Sequence, residues 1–283
     1  MLNKRLQRLN ALAAAKPALT EVCRFYTALY QLFADADPFL QAEVDLAAAG
    51  PRQQQGFPLI SSEMLRFDAA AAEKFFAQLL QILHQHGQQG QTELKLLQDA
   101  FEAGKLELCP LLSAVFERDR EPISSTATAV GIQPALLEYV LATALGAGLQ
   151  RCVEQGLKSE IQHWDHGYCP VCGGLPAIAE LSGEEGKKKL QCGQCGNSWG
   201  FHRMTCTHCG NTEHDSLGYF TTEGEPGYRV DICRKCSGYL KVVDSREKGA
   251  DLPLEIEDVA TLHLDLLAAR EGFSRGKKET LDA

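Results

Sequence analysis

The chain has 283 residues, of which 45% are hydrophobic and 23% are charged, as in ordinary globular proteins. Its formal net charge of −9 disfavours nucleic acid or an anionic membrane as the main partner. No segment reaches the roughly 18–20 apolar residues that a membrane-spanning helix needs, so we predict no membrane insertion. Polar residues interrupt the N-terminal alanine run, and no signal peptide is predicted. We therefore expect a cytoplasmic protein.

Residues 1–162 predict an all-α helical domain of six to eight helices. Their apolar residues recur at three- and four-residue steps, as in the stretch AAAEKFFAQLLQILHQH. A long helix is predicted over 134–157, where Pro134 suits the first turn. Three cysteines in this part stand alone, and no function is assigned to them: Cys23, Cys109 and Cys152.

The composition changes near residue 163, where glycine, cysteine and short β-like runs take over. Such a segment buries few apolar side chains, so its fold needs additional stabilisation from its cysteines. We predict two tandem modules of rubredoxin-like or zinc-ribbon type, over 163–200 and 201–246. Residues 247–283 predict a C-terminal helix and a disordered tail, SRGKKETLDA. The expected fold class is thus helical with a small β part.

Eight cysteines form four C-x2-C pairs, separated by nineteen, ten and twenty-three residues. The cytosol keeps thiols reduced, so clustered pairs in a chain without a secretion signal indicate metal binding or redox chemistry rather than structural disulfides. Redox dithiols without metal are the alternative to metal ligands.

The gaps of nineteen and twenty-three residues are each long enough for a β-hairpin between two knuckles of one site. The gap of ten residues suits a connection between two sites. This spacing predicts two four-cysteine metal sites, although a swapped pairing stays open. The predicted ligands are Cys169, Cys172, Cys192 and Cys195 at the first site, and Cys206, Cys209, Cys233 and Cys236 at the second. Glycine follows three of the four pairs, as metal-binding knuckles often require. Spacing alone does not separate zinc from iron.

With these residues laid out, the chain resembles the formate dehydrogenase accessory proteins. The resemblance rests on CPVCGGLPA, LQCGQCGNSW, HRMTCTHCG, DICRKCSGYLKVVD and the terminal IEDVATLHLDLLAAREGF. It is sharp over 165–273 and diffuse over the helical part, where the PLI loop at 58–60 is suggestive.

This resemblance implies a maturation protein that binds the catalytic subunit of formate dehydrogenase in the cytoplasm during assembly, before export. It also implies that all eight paired cysteines are metal ligands in rubredoxin-like sites, with iron favoured and zinc as the alternative. It leaves a homodimer open.

Two other functions compete with this expectation. A nucleic-acid-binding zinc ribbon should be basic, yet residues 165–244 hold eight Lys or Arg and ten Asp or Glu, a net charge of −2. A rubredoxin-like electron carrier is compatible with the cysteines. No nucleophile–base pair or phosphate loop stands out, and four-thiolate sites are closed to substrate, so no enzyme is predicted.

Overall fold

The computed structural model describes residues 1–87, 90–159 and 164–276. The chain divides into two compact units. The first consists of Met1–Asp45 and Ile60–Leu157, and the second of Leu46–Leu59 and Lys158–Ala283.

The first unit is built mainly of helices. Among its described residues they are α1 (Leu2–Ala15), α2 (Thr20–Asp35), α4 (Ala69–His86), α5 (Gln91–Glu102), α6 (Leu108–Glu117), α7 (Glu121–Val130) and α8 (Pro134–Glu154). Helix α3 (Leu46–Gln54) belongs to the second unit.

The helical periodicity of the sequence corresponds to the buried faces of these helices. In α4 the apolar positions predicted from the sequence, such as Phe76 and Leu80, are almost fully buried. Helix α8 begins at Pro134 as predicted and ends at Glu154, three residues before the predicted end. The helical class of this part is confirmed, with one small addition, a two-stranded antiparallel sheet of β1 (Leu40–Ala42) and β2 (Leu65–Phe67).

The second unit contains one mixed sheet. Its strands are β3 (Pro176–Ser182), β4 (Lys187–Cys192), β5 (Ser198–Phe201), β6 (Leu217–Phe220), β7 (Tyr228–Cys233), β8 (Gly238–Asp244) and β9 (Ser274–Arg275). Their order is β5-β4-β3-β8-β7-β6, with β9 paired to β8.

The two cysteine-bearing halves share this sheet. Strands β3 to β5 carry the first half, and β6 to β8 carry the second. Parallel pairing of β3 with β8, from Ile178↔Lys241 to Leu181↔Asp244, joins them. The two modules predicted from the sequence are therefore halves of one continuous sheet.

Helices close one face of the sheet. After the short α9 (Ser245–Lys248) come α10 (Leu254–Ala260) and α11 (Leu262–Arg270), whose Leu254, Leu264 and Ala268 pack in one cluster with sheet residues that include Val230. The predicted C-terminal helix is thus interrupted at Thr261, whose hydroxyl donates to the Glu257 carbonyl oxygen.

The predicted disordered tail departs from the structure at its first residues. Ser274 and Arg275 form β9 in parallel with Gly238 and Tyr239, so the prediction was wrong for them. Gly276 is also described, and residues 277–283 of the tail lie outside the described residues. Pairing with the start of β8 explains the difference, and the Ser274 amide also donates to the carbonyl oxygen of Ser237, the residue before β8.

Within the described ranges, no single helix is long and apolar enough to span a bilayer. Two consecutive helices, Glu121–Val130 and Pro134–Glu154, have the required length and composition when they are taken together, but the chain bends sharply between them.

Candidate metal centres

The structure brings the eight paired cysteines into two separate clusters. Within each cluster the four Sγ atoms all lie within 4.8 Å of one another. The clusters are Cys169, Cys172, Cys192 and Cys195 on one side, and Cys206, Cys209, Cys233 and Cys236 on the other. These are the two groups that the spacing predicts. The alternative, in which C-x2-C pairs are exchanged between the two sites, does not occur.

Each cluster is assembled from a loop knuckle and a strand end. Cys192 ends β4 and Cys233 ends β7, while Cys169 and Cys206 open knuckles in loops. In the first knuckle, the Gly173 amide donates to the Cys169 carbonyl oxygen and the Cys169 amide donates to the Gly174 carbonyl oxygen. Such tight turns point both sulfurs of a pair to one place.

The residue after each pair has a left-handed backbone. Its φ is +73° at Gly173, +71° at Gly196, +69° at Gly210 and +54° at Ser237. Glycine adopts this conformation without steric cost, which explains three of the four positions. Ser237 adopts it without that advantage, and the β9 amide that binds its carbonyl oxygen helps to hold it there.

The sulfur geometry fits a tetrahedral metal ion. The closest contacts are 3.6 Å for Cys169–Cys195 and 3.5 Å for Cys172–Cys192 in the first cluster. In the second they are 3.7 Å for Cys206–Cys236 and 3.8 Å for Cys209–Cys233. Disulfide sulfurs are about 2.05 Å apart. Four sulfurs about 2.3 Å from one central ion lie about 3.8 Å apart, so the donor set fits such an ion.

Backbone amides surround the sulfurs. The Sγ atoms of Cys169, Cys172 and Cys192 each accept an amide N–H at 3.4 Å, and so does that of Cys206. N–H donors of this kind favour the thiolate over the thiol. The knuckles therefore provide the environment that bound thiolates need.

The electrostatics of the thiols point the same way. In the first cluster, hydrogen bonds from Cys169, Cys172 and Cys195 hold the pKa of Cys192 well below that of an ordinary thiol. In the second, burial raises the pKa of Cys206, and burial also raises the pKa of Cys236 to about 11. Thiols with raised pKa values become thiolates at neutral pH only when a cation replaces their protons.

Two asparagines that sequence reasoning missed also reach the sulfurs. Asn197 Nδ2 lies 3.8 Å from Cys169 Sγ, and Asn211 Nδ2 lies 3.8 Å from Cys233 Sγ. Each asparagine follows one knuckle and contacts a cysteine of the opposite knuckle in the same cluster. The signal was present in the sequence as the repeated Cys-Gly-Asn of CGQCGN and CTHCGN.

The first cluster is shielded by a segment from the N-terminal part of the chain. Gln53 Nε2 donates to the Pro170 carbonyl oxygen at 2.9 Å, and the Leu59 amide donates to the same oxygen at 2.8 Å. A methyl group placed on Gly173 would lie 3.1 Å from Pro58. This contact gives a structural role to the PLI loop noted in the sequence.

The second cluster is more exposed than the first. All four cysteines of the first cluster are buried, whereas Cys209 is exposed and Cys236 is half-buried. His208, inside the third pair, is not among the clustered ligands; its Nε2 lies 3.0 Å from the Tyr239 carbonyl oxygen. The lone thiols Cys23, Cys109 and Cys152 belong to neither cluster.

Comparison with known proteins shows similarity to FdhE proteins. The family model described as "FdhE, C-terminal domain" matches residues 204–281. A protein named as an FdhE homolog from Aquifex aeolicus is 28% identical over 258 residues, covering 90% of this chain and 83% of the relative. The FdhE protein of Salmonella arizonae is 27% identical over 283 residues, covering 96% and 85%.

The fold agrees with a solved structure. The crystal structure of the FdhE protein from Pseudomonas aeruginosa superimposes with a TM-score of 0.66 at 21% identity, covering 100% of this chain and 96% of that chain. These similarities support an FdhE-like family for the chain. The resemblance read from its knuckle motifs is thereby confirmed, as is the fold class of a helical part followed by a sheet with two four-cysteine clusters.

Proposed function

We propose that this FdhE-like chain is an accessory protein for formate dehydrogenase, which binds the catalytic subunit in the cytoplasm during assembly and before export. The observation that carries the proposal is the pair of closed four-cysteine clusters in one sheet, in a chain that matches FdhE relatives over 90% or more of its length. A rigid, metal-stabilised surface suits recognition of another protein.

The eight clustered cysteines are the metal ligands in this proposal: Cys169, Cys172, Cys192, Cys195, Cys206, Cys209, Cys233 and Cys236. The sulfur spacing and the N–H donors support this assignment. Iron is favoured by the family resemblance, and zinc has the same donor preference. A bound ion would stabilise the fold. If the ion were iron, the charge of the site would change by one unit between the ferrous and the ferric state.

The same clusters argue against catalysis at the metal. Catalytic zinc sites keep a position open for water or substrate, whereas four protein thiolates fill a tetrahedral ion. Each cluster offers four sulfurs. We therefore propose a binding protein and not an enzyme, with a helical domain over 1–162, cysteine modules over 163–200 and 201–246, and a C-terminal part over 247–283.

Electron transfer is the second candidate, and one observation favours it. Cys209 is exposed at the second cluster, so an iron held there would lie close to solvent or to a redox partner. A visible thiolate-to-iron absorption that bleaches on reduction and returns on exposure to an electron acceptor would support this function. Nucleic-acid binding has weaker support, because the cysteine-rich part carries a net negative charge.

An anaerobic affinity purification from a host that expresses formate dehydrogenase tests the proposal. The tagged chain is compared with Cys206→Ser/Cys209→Ser and with Cys109→Ser, which removes a thiol outside both clusters. We expect the catalytic subunit to co-purify with the intact chain and the control, and to be lost from the double variant. If the folded, metal-loaded intact chain retains no catalytic subunit, the accessory role is refuted.

A further inference from the structure

A cavity of about 460 Å³ lies in the sheet-bearing unit beside the second cluster. Its volume is in the range of ligand-binding pockets, which is about 300–1,000 Å³. Neither the sequence motifs nor the family relationship assigns a role to it.

The cavity lies on the sheet face opposite the C-terminal helices. Side chains alternate along β7, so Val230 faces the helix-covered core while Arg229 and Asp231 point to the other side. Asp231 is paired in register with Leu240 of β8 and with Tyr219 of β6, and all three residues line the cavity. The segment from Arg203 to His208, which leads into the third cysteine pair, also lines the cavity.

Cationic side chains outnumber carboxylates in the lining, although the whole chain is acidic. Lys188, Arg203 and Arg229 contribute three positive charges, and Asp231 contributes one negative charge. The Asp231 carboxylate is shared by Lys188 Nζ at 2.9 Å and Arg229 Nε at 2.8 Å. Three cations against one carboxylate give these side chains an excess of two positive charges, which offsets the negative charge that the four thiolates of the adjacent second cluster would carry around a divalent ion. The exposed Arg203 remains open to an anionic group.

The outer residues have the composition of a protein-binding surface. Tyr219 is 63% exposed and Met204 is 53% exposed. The Arg229 guanidinium stacks over the Tyr219 ring at 4.9 Å, which holds that ring in place. Tyrosine and arginine dominate binding energy at protein interfaces, and methionine adapts to varied apolar partners.

A further feature suits a polypeptide. Strand β6, which carries Tyr219, pairs only with β7 among the described strands, so its outer edge can accept an extended segment.

We propose that this cavity binds an extended acidic peptide segment of a partner protein. A large apolar side chain of the segment enters the cavity between Tyr219, Met204 and Leu240, and flanking carboxylates pair with Arg203 and Arg229. The inference goes beyond the proposed function, since it concerns the chemistry of the segment and does not depend on which protein supplies it.

The test uses the purified full-length, metal-loaded chain and a fluorescent pentapeptide in which phenylalanine is flanked by two glutamates on each side. Fluorescence anisotropy gives the dissociation constant. The matched peptides replace all glutamates by glutamine, or phenylalanine by alanine. A ten-residue oligothymidine carries negative charge without a peptide backbone.

Two variants alter the cavity, and one serves as a charge control. Arg203→Gln and Tyr219→Ala change exposed lining residues without touching the cysteines. Lys187→Gln removes one positive charge from an exposed hairpin position that is not part of the lining. Circular dichroism and metal content confirm that each variant is folded.

We expect each cavity variant, and each altered peptide, to weaken binding by at least about threefold, which is the upper part of the range for one exposed ion pair. Lys187→Gln should leave binding unchanged. The proposal is overturned if no binding is seen up to millimolar peptide, if Lys187→Gln weakens binding as much as Arg203→Gln, or if oligothymidine binds more tightly than the peptide. These outcomes leave the affinity-purification test of the proposed function unaffected.

Discussion

Asn197 and Asn211 occupy equivalent positions after the second and third knuckles, and each places its amide on a sulfur of its own cluster. An N–H donor to a thiolate stabilises the charged sulfur and orients it. Groups that hydrogen-bond to metal ligands change metal affinity by about 10–100-fold. These asparagines are thus expected to help hold the metal.

The first prediction concerns Asn211→Ala. Loss of its contact with Cys233 should accelerate transfer of the metal to a colorimetric chelator by about tenfold, because the thiolate is less stabilised. Release is followed by absorbance under anaerobic conditions. Asn10→Ala, at an exposed position in α1, is the control. Equal release rates in the two variants would show that the amide has no such role.

At the scale of elements, Lys241 connects the sheet to the C-terminal helices. It lies in the middle of β8, is 1% exposed, and its Nζ lies 2.8 Å from Asp258 of α10 and 2.7 Å from Asp265 of α11. Arg275 of β9 contacts the same two carboxylates. Two cations and two carboxylates thus form one charge-balanced network that joins four elements.

Lys241→Met should lower the free energy of unfolding by about 3 kcal/mol, because it leaves two partly buried carboxylates with a single cation. Urea denaturation of the metal-loaded chain measures the change. Lys187→Met is the matched control, since that lysine is 77% exposed and pairs with the equally exposed Glu185. A loss no larger than that of the control would mean that apolar packing alone holds the helices.

The pH dependence of stability follows from Asp265. Burial alone would raise its pKa, but the hydrogen bond from Lys241 and the charge of Arg275 hold the pKa below its ordinary value. A carboxylate with a lowered folded-state pKa contributes stability above its unfolded pKa of about 4, and this contribution is lost as the pH falls through the folded pKa.

Asp265→Asn should therefore be less stable than the intact chain at pH 7, and the difference should shrink as the pH falls below about 4. Thermal unfolding across this pH range gives the comparison. A difference that does not vary with pH would contradict an ionic role for Asp265.

Sequence reasoning worked best where one local pattern sets one element. Helix α4 was visible as a run of apolar residues at helical spacing, and the strands from β3 to β8, apart from β5, were visible as short β-like runs. The C-x2-C pairs marked the knuckles. Elements that depend on distant partners were missed. Strands β1 and β9 are three and two residues long, and only pairing with β2 and β8 defines them.

The candidate site shows the same division. The eight clustered cysteines and their grouping could be predicted, because a knuckle is local and the gaps limit which knuckles meet. The shielding of the first cluster by Gln53 and Pro58 could not, because more than a hundred residues separate these contacts along the chain. The cavity also escaped prediction, since its lining comes from four strands and a link.

At the scale of the whole molecule, the two clusters differ in access to solvent. The first is buried and covered by residues of Leu46–Leu59, whereas the second exposes Cys209. A chelator must reach a sulfur or the metal to remove the ion. We expect metal release in two phases, with the second cluster emptied first.

Chains with one intact cluster assign these phases. Cys169→Ser/Cys172→Ser retains the second cluster, and Cys206→Ser/Cys209→Ser retains the first. Cys169→Ser/Cys172→Ser, which retains the exposed second cluster, should release its metal to the same chelator several times faster than the other variant. The reverse order would contradict the link between exposure and lability.

Metal content tests the central claim, which is that the eight clustered cysteines form two metal centres. The intact chain, purified anaerobically, and the two double variants are analysed by mass spectrometry for iron and zinc per chain, with free thiols titrated in parallel. The account predicts two metal ions in the intact chain and one in each double variant, with all cysteines reduced. A metal-free, folded chain with disulfides within the clusters would contradict it.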